Sequence, residues 1–379
     1  MTPSTATPSW LSESAGAVAD LGVLVPIAVA LIVLNGLSPT AVLLPAALLY
    51  LLVARVYRLP IAVQPLKAFG AIAIAVGAGA DVIAAGALLM GVIFTVAGVL
   101  GIVDVVARRI PTAVVRGVQL TVAILLAKVG WGLLTDTPAN FTNQLPSTPS
   151  VALAVVLTAA LWFLRGRLSL AAVGVAVIAM AYAAIANHAA LQFGPTELSI
   201  GLPSSTDFVT AFTLLVLPQL PLTFANSCLA PADAARTYFG VQADRVTPGR
   251  LAQTLGIANL FAGSISGMPV CHGAGGLSAH YAFGARSWRA PAIMGTVLAI
   301  AALGLGSTLV TALPAFPVAV LSALLGVAAI THASLLRDVR EVGDWMVVAV
   351  VAGLGVTTNL AYGVVVGLLV ATATSRFRR

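Results

Sequence analysis

The stretch LPIAVQPLKAFG, Leu59 to Gly70, decides how the chain is read. Pro60 and Pro65 bracket an apolar run, and a lone lysine, Lys67, follows directly. Pro65 has no backbone N–H and pushes Gln64 towards an extended conformation, while its fixed φ suits the first turn of a helix that can run to about Gly77. Such a helix is about 20 Å long at roughly 1.5 Å per residue, too short for a hydrocarbon core of about 30 Å. An extended entry followed by a half-length helix makes a broken transmembrane segment, tolerated at membrane depth only where it is buried in protein or lines a cavity. The stretch SGMPVCHGAGGLSAHYAFG, Ser266 to Gly284, has the same layout: a proline in an extended entry, a polar corner at Cys271 and His272, then a short helix of small residues. Paired interrupted segments in the two halves of a hydrophobic chain point to a transporter's binding site.

Composition places both stretches in a membrane. Of 379 residues, 60% are hydrophobic and 8% charged, against about 25% charged in soluble domains. The chain therefore reads as an all-α polytopic membrane protein. The first 14 residues, MTPSTATPSWLSES, contain no Lys or Arg and so lack the basic start of a signal peptide; they are expected to form a disordered tail. Cys228 and Cys271 lie in apolar or site-like segments and are expected to be reduced thiols.

Apolar segments run over about 16–34, 40–57, the broken 60–78, 82–103, 112–134, 150–164 and 168–187, then 207–229, 249–263, the broken 266–284, 289–310, 315–332, 344–358 and 360–374. With the N-terminus in the cytoplasm, alternate threading puts all 17 arginines on the cytoplasmic face, from Arg55 and Arg58 to Arg378 and Arg379, and leaves no Lys or Arg in an outer loop. That agreement with the positive-inside rule predicts 14 segments with both termini cytoplasmic. Because seven is odd, the second half is inserted upside down, giving a 7+7 inverted repeat. The net charge of +7 is thus topological and no nucleic-acid partner is expected.

Followed through this topology, both broken segments reach mid-membrane with their helix N-termini facing each other. Each end offers unpaired N–H groups and about half a positive charge, and with Lys67 in one first turn they predict an anion site. A charge inside a membrane is a functional residue by default; the competing role for Lys67 is a structural cation that snorkels or pairs with Asp81 or Asp20. Gln64 supplies donor and acceptor, or caps the broken backbone. His272 either donates to an anion, carries a coupling proton, or is a buried neutral ring on a carbonyl. Gly273, Gly275 and Gly276 allow close approach of a substrate or of a facing helix. In the eighth segment Gln219 and Asn226 are buried amides on one face of a helix that Pro218 and Pro221 are expected to distort. Asp20 is either a partner for a cytoplasmic arginine or a coupling carboxylate. Asp233 and Arg236 are expected to pair, and Lys128 to snorkel. No cluster has zinc-ligand spacing and no nucleophile–base set appears, so neither a metal, a cofactor nor an enzyme is expected.

VQPLKA (Val63–Ala68), PQLPLTFANS (Pro218–Ser227) and MPVCHGAGGLSAHYAFGAR (Met268–Arg286) resemble the molybdate transporter family, relatives of the sulfate permeases that lack a cytoplasmic STAS domain. The resemblance covers essentially the whole membrane region, and no STAS domain is expected after Arg379. It implies the inverted-repeat fold shared with uracil transporters, split into a core domain (15–110 and 206–310) and a gate domain (111–205 and 311–379). It implies an oxyanion held by Gln64, Lys67, the turn Cys271, His272, Gly273, Ala274, Gly275 and Gly276, and Asn226, and carried by elevator-like movement of core against gate. The sequence thus predicts a secondary transporter of the cytoplasmic membrane for molybdate, or for sulfate or oxyanions generally, coupled to a proton or Na+ through His272 or Asp20. A nucleobase carrier and an anion channel of the same fold are the alternatives. A homodimer fits the fold, with no interface legible.

Overall fold

A computed structural model describes residues 9–18, 21–164, 171–188 and 191–377. Most of these residues are helical, and among them the two strands, β1 (Val63–Pro65) and β2 (Val270–His272), fall in the two broken segments. Each strand leads into a nine-residue half-helix, Lys67–Ala75 and Ala274–Ala282, about 14 Å long at roughly 1.5 Å per residue. Both half-helices end in the same way. Gly77 (φ +62°) and Gly284 (φ +97°) turn left-handed, and the next amide reaches back: Ala78 N to the Ala73 carbonyl and Ala285 N to the His280 carbonyl, each 2.9 Å. This 6→1 bond is the Schellman motif, which needs a residue tolerant of positive φ.

The landmarks repeat at a fixed interval. Val63 and Val270, Lys67 and Ala274, and Gly77 and Gly284 each lie 207 residues apart. The strands pair antiparallel, Val63 with His272, Gln64 with Cys271 and Pro65 with Val270. That register is symmetric about the Gln64–Cys271 pair, as a two-fold relation between inverted halves requires.

Among the described residues, seven helical stretches are long and apolar enough to cross a bilayer by length and composition, including Pro39–Val56, Ala80–Val99, Thr112–Thr135 and Val318–Asp338. The other crossings expected from sequence correspond to the two half-helices, to Leu21–Val33, Ala171–Ala186 and Pro248–Ser264, and to a pair bent by 76° at Arg289–Gly304 and Gly306–Ala315. Segments 344–358 and 360–374 form one hydrogen-bonded stretch with a π turn at Gly355–Asn359. The two arms, Val342–Leu354 and Leu360–Phe377, nevertheless pack against each other. The eighth segment is a 39-residue helical stretch, Ser205–Ala243, widened into π turns at Phe212–Val216 and Thr223–Leu229. Pro218, Pro221 and Pro231 each remove a donor there, so the distortion expected from the prolines is present. The helix Trp10–Ala17, capped by the Ser9 side chain, begins inside the stretch expected as a tail; residues 1–8 lie outside the described ones. The ion pairs among the described residues are Arg108–Asp104 and Arg116–Asp338, so Asp233 and Arg236 do not form the pair expected of them.

Helices Ala80–Val99 and Pro248–Ser264 pack closely through glycine. A Cβ on Gly256 would come within 2.5 Å of the Thr95 amide nitrogen and 3.0 Å of the Gly91 carbonyl oxygen, and one on Gly91 within 2.6 Å of Leu260 N. These obstacles are backbone, which cannot rotate away. Close backbone approach is how helices associate where no hydrophobic drive separates them from lipid. Gly256→Val should therefore lower the thermal unfolding temperature of the purified protein by an amount equivalent to about 1–3 kcal/mol or more. Gly132→Ala, where an added Cβ meets nothing within 4 Å, should melt like the wild type. Equal melting of the two variants would refute the packing account.

Candidate functional site

Alternation along the strands decides which side chains meet at the crossing. Side chains of a strand point to opposite faces in turn. Gln64 and Cys271, directly paired, line a cavity of about 460 Å³. Val63, Val270 and His272 lie on the other face and are completely buried. His272 is therefore not in the cavity, contrary to its expected part in the site. Its Nδ1–H donates to the Ala62 carbonyl (3.4 Å), and Thr254 Oγ1–H donates to its Nε2 (2.8 Å). The Tyr57 ring meets it edge-on, with centroids 6.2 Å apart, and the Tyr57 hydroxyl donates to the Arg250 carbonyl at 2.8 Å. The ring pins the back of the ribbon to helix Pro248–Ser264, one of the roles the sequence left open for it.

The ribbon's outer edge is closed by a side chain. The Val270 N–H donates to Asn259 Oδ1 and Asn259 Nδ2 donates to the Val270 carbonyl, both at 2.8 Å. On the other strand the edge position is Pro65, which has no N–H to satisfy. Gln219 does the same service for the first half-helix: its Oε1 accepts the Phe69 N–H at 2.9 Å, and its Nε2 donates to Thr223 Oγ1 at 2.9 Å. Asn259 thus satisfies strand backbone and Gln219 one donor of the first helical turn, where no water is at hand to do so.

The cavity wall on this side carries most of the residues the sequence singled out. Lys67 opens its half-helix and its Nζ donates to Gln64 Oε1 at 2.5 Å. Among the described residues no carboxylate pairs with it; Asp81 is exposed at the start of Ala80–Val99, and Asp20 lies outside the described residues. Ala274, Gly275 and Gly276 line the cavity with the first turn of the second half-helix, whose N–H groups have no intrahelical acceptors. A Cβ on Gly275 would meet nothing within 4 Å, so this glycine faces open space. Gly273 is not itself a lining residue: a Cβ there would overlap Gln64 Oε1, so its role is to leave room for that amide. Asn226 and Ser227 reach the cavity from the π turn Thr223–Leu229.

The facing wall was not legible as part of the site. Arg116 and Gln119 come from Thr112–Thr135, and Thr331 and His332 from Val318–Ser334. Arg116 Nε donates to both oxygens of Asp338 (2.8 and 3.1 Å), its Nη2 closes a fork on the same carboxylate, and its Nη1 donates to Gln119 Oε1 at 2.8 Å. Gln119 is fully buried and its Nε2 has no partner among the described residues. One signal was available: Gln119 is a lone amide in an apolar run, and a polar residue inside a membrane span is functional by default.

The architecture is that of known anion carriers. The transmembrane domain of the cyanobacterial bicarbonate transporter BicA superposes with a TM-score of 0.66 at 16% identity, covering 95% of this chain and 96% of that one. Murine Solute Carrier 26 family member A9, an anion transporter solved in its inward-facing state, gives 0.69 at 18% identity, covering 97% and 68%. The fold is thus the core-and-gate fold of Solute Carrier 26 proteins, and the chain is a multi-pass membrane transporter, not an enzyme. Residues 12–126 and 211–331, more than half of the chain, match the family described as molybdate transporter of the MFS superfamily, and the chain belongs to that family. Among its relatives, Molybdate transporter 1 of Arabidopsis thaliana is 28% identical over 401 residues, covering 95% of this chain and 87% of the relative. Molybdate transporter 2 of the same plant is 28% identical over 393 residues, covering 92% and 84%.

Asn259→Leu tests whether the ribbon depends on its clamp. It leaves a buried donor and a buried acceptor of Val270 unpaired, each worth about 1–3 kcal/mol. A clearly lower unfolding temperature is expected, measured without ligand; unchanged melting would mean the edge is satisfied otherwise.

Proposed function

We propose that this chain is a secondary transporter for a tetrahedral oxyanion, molybdate first and sulfate next. The observation that carries this is the pairing of Lys67 with the bare N-terminus of Ala274–Ala282 across one cavity, with no carboxylate on Lys67 among the described residues. Gln64, Lys67, Asn226, Cys271 and the amides of Ala274, Gly275 and Gly276 are the proposed binding groups. An ammonium ion and unpaired N–H groups are all donors, and they suit a ligand made of acceptors. A neutral nucleobase also presents donor edges, and acceptors on this wall are few: Gln64 Oε1 already receives the Lys67 ammonium, and Asn226 offers one amide oxygen. Family membership and the two named relatives support molybdate over the other oxyanions.

The cavity has room for about fifteen waters at roughly 30 Å³ each, far more than a five-atom oxyanion requires. It also reaches Arg116, beside the half-exposed Asp338. We read this as the state open to the arginine-rich, cytoplasmic side, in a protein of the cytoplasmic membrane with both termini inside. The core comprises 15–110 and 206–310, the gate 111–205 and 311–379, and an elevator-like shift of the core carries the anion past the gate. A proton or Na+ gradient drives it.

The test is competition binding on purified protein, with molybdate titrated against sulfate, phosphate and uracil. Molybdate should bind and uracil should not displace it; binding of uracil alone would overturn the reading. Lys67→Ala should weaken molybdate binding about 30-fold or more, as expected for removing one member of a desolvated charge pair, with melting in the absence of ligand unchanged. Retained affinity would move the site elsewhere.

A further inference from the structure

His332 lines the cavity on the wall opposite the half-helices and is only 7% exposed. Its Nδ1 lies 2.9 Å from the Ala328 carbonyl. A carbonyl only accepts, so Nδ1 carries the hydrogen, and the neutral ring presents Nε2 as a lone pair. Among the described residues nothing bonds Nε2, and the edge of the ring that bears it is left to the cavity. A fully ionised tetrahedral oxyanion is made of acceptors alone. Acceptor facing acceptor is repulsive unless a proton lies between them.

We infer that the oxyanion binds in this cavity together with one proton, held between His332 Nε2 and an oxygen of the anion; this rests on the anion site proposed above. The proton comes from the water that fills the open cavity: a new N–H bond forms on Nε2, and solvent loses one H+ for each anion bound. The charges then match. The Lys67 ammonium faces His332 across the cavity and opposes a second positive charge there until the dianion lies between them; with the anion bound, one ammonium and one imidazolium match its two charges.

The surroundings leave no competing group on the described walls. Helix Thr112–Thr135 contributes the Arg116 guanidinium, whose charge is already met by Asp338. Other elements packed on Val318–Ser334 include the turn Leu335–Asp338, which carries Arg337 and Asp338, the latter engaged by Arg116, and the helices Leu21–Val33, Ser147–Leu164 and Ala171–Ala186. These three helices hold no charged residue, and Tyr182 is their one titratable side chain. Cys271 is the remaining titratable group on the cavity.

The test is proton uptake on adding molybdate to the purified full chain in weakly buffered solution near neutral pH, read with a pH-indicator dye beside an independent binding isotherm. The wild type should take up about one proton per bound molybdate, and its affinity should fall about tenfold per unit of rising pH, as one-proton linkage requires. His332→Gln keeps a donor N–H but does not titrate. It should bind within about tenfold of the wild type, with no proton uptake and no pH dependence over the same range. Wild-type binding without uptake, or undiminished uptake in His332→Gln, overturns the inference and leaves the anion site standing. If His332→Gln does not fold, the wild-type pH series alone decides. Absence of any molybdate binding by the wild type removes the proposed function and this inference together.

Discussion

The structure depends on six residues of extended backbone paired where hydrocarbon surrounds the protein. A peptide group there has no water to fall back on, and each unpaired one costs several kcal/mol. Strands β1 and β2 can exist only because each is the other's hydrogen-bonding partner. Their outer edges are closed by Asn259 on one side and by the missing donor of Pro65 on the other. Once the ribbon is made, the two half-helices leave it from opposite ends, each with its N-terminus at the ribbon. The cavity, the two helix ends and the position of Lys67 follow from that single pairing.

The same ribbon explains which parts of the site were legible in the sequence. Proline, polar corner and short glycine-rich helix are local signals, so Gln64, Lys67, Gly275 and Gly276, which line the cavity, could be singled out from the sequence pattern, whereas Ala274 came only with the family resemblance. What the segment pattern did not supply was the side each residue faces. Cys271 and His272 are neighbours, and both looked like site residues. In a strand only one of two neighbours can face the cavity, and the register with Gln64 selects Cys271. The facing wall was missed for a different reason. Arg116, Gln119 and His332 lie in regular helices with no interruption to mark them, and only tertiary packing brings them opposite Lys67.

The fold itself was readable to a similar depth. Hydropathy found the broken segments and the distortion at Pro218 and Pro221, because both are dictated by backbone chemistry within a few residues. Helix length was less informative: the chain folds back through a π turn at Gly355–Asn359 with no loop, and bends sharply between Gly304 and Gly306. Both are events that apolar composition does not mark. The helix Trp10–Ala17 went unrecognised because its polar face suggested solvent, whereas Glu13 is fully buried and accepts the Arg286 N–H at 3.2 Å.

The second half-helix begins with Ala274, Gly275 and Gly276, and so brings to the cavity little but main-chain N–H groups. Main chain is common to all sequences. In the proposed site, drift can exchange Gln64, Cys271 or Asn226 and so retune which ligand fits, but proline apart, no exchange of side chains strips the donors from a helix start. A lineage built on this scaffold therefore inherits a demand for acceptor-bearing ligands and remains free to vary the ligand's size and charge.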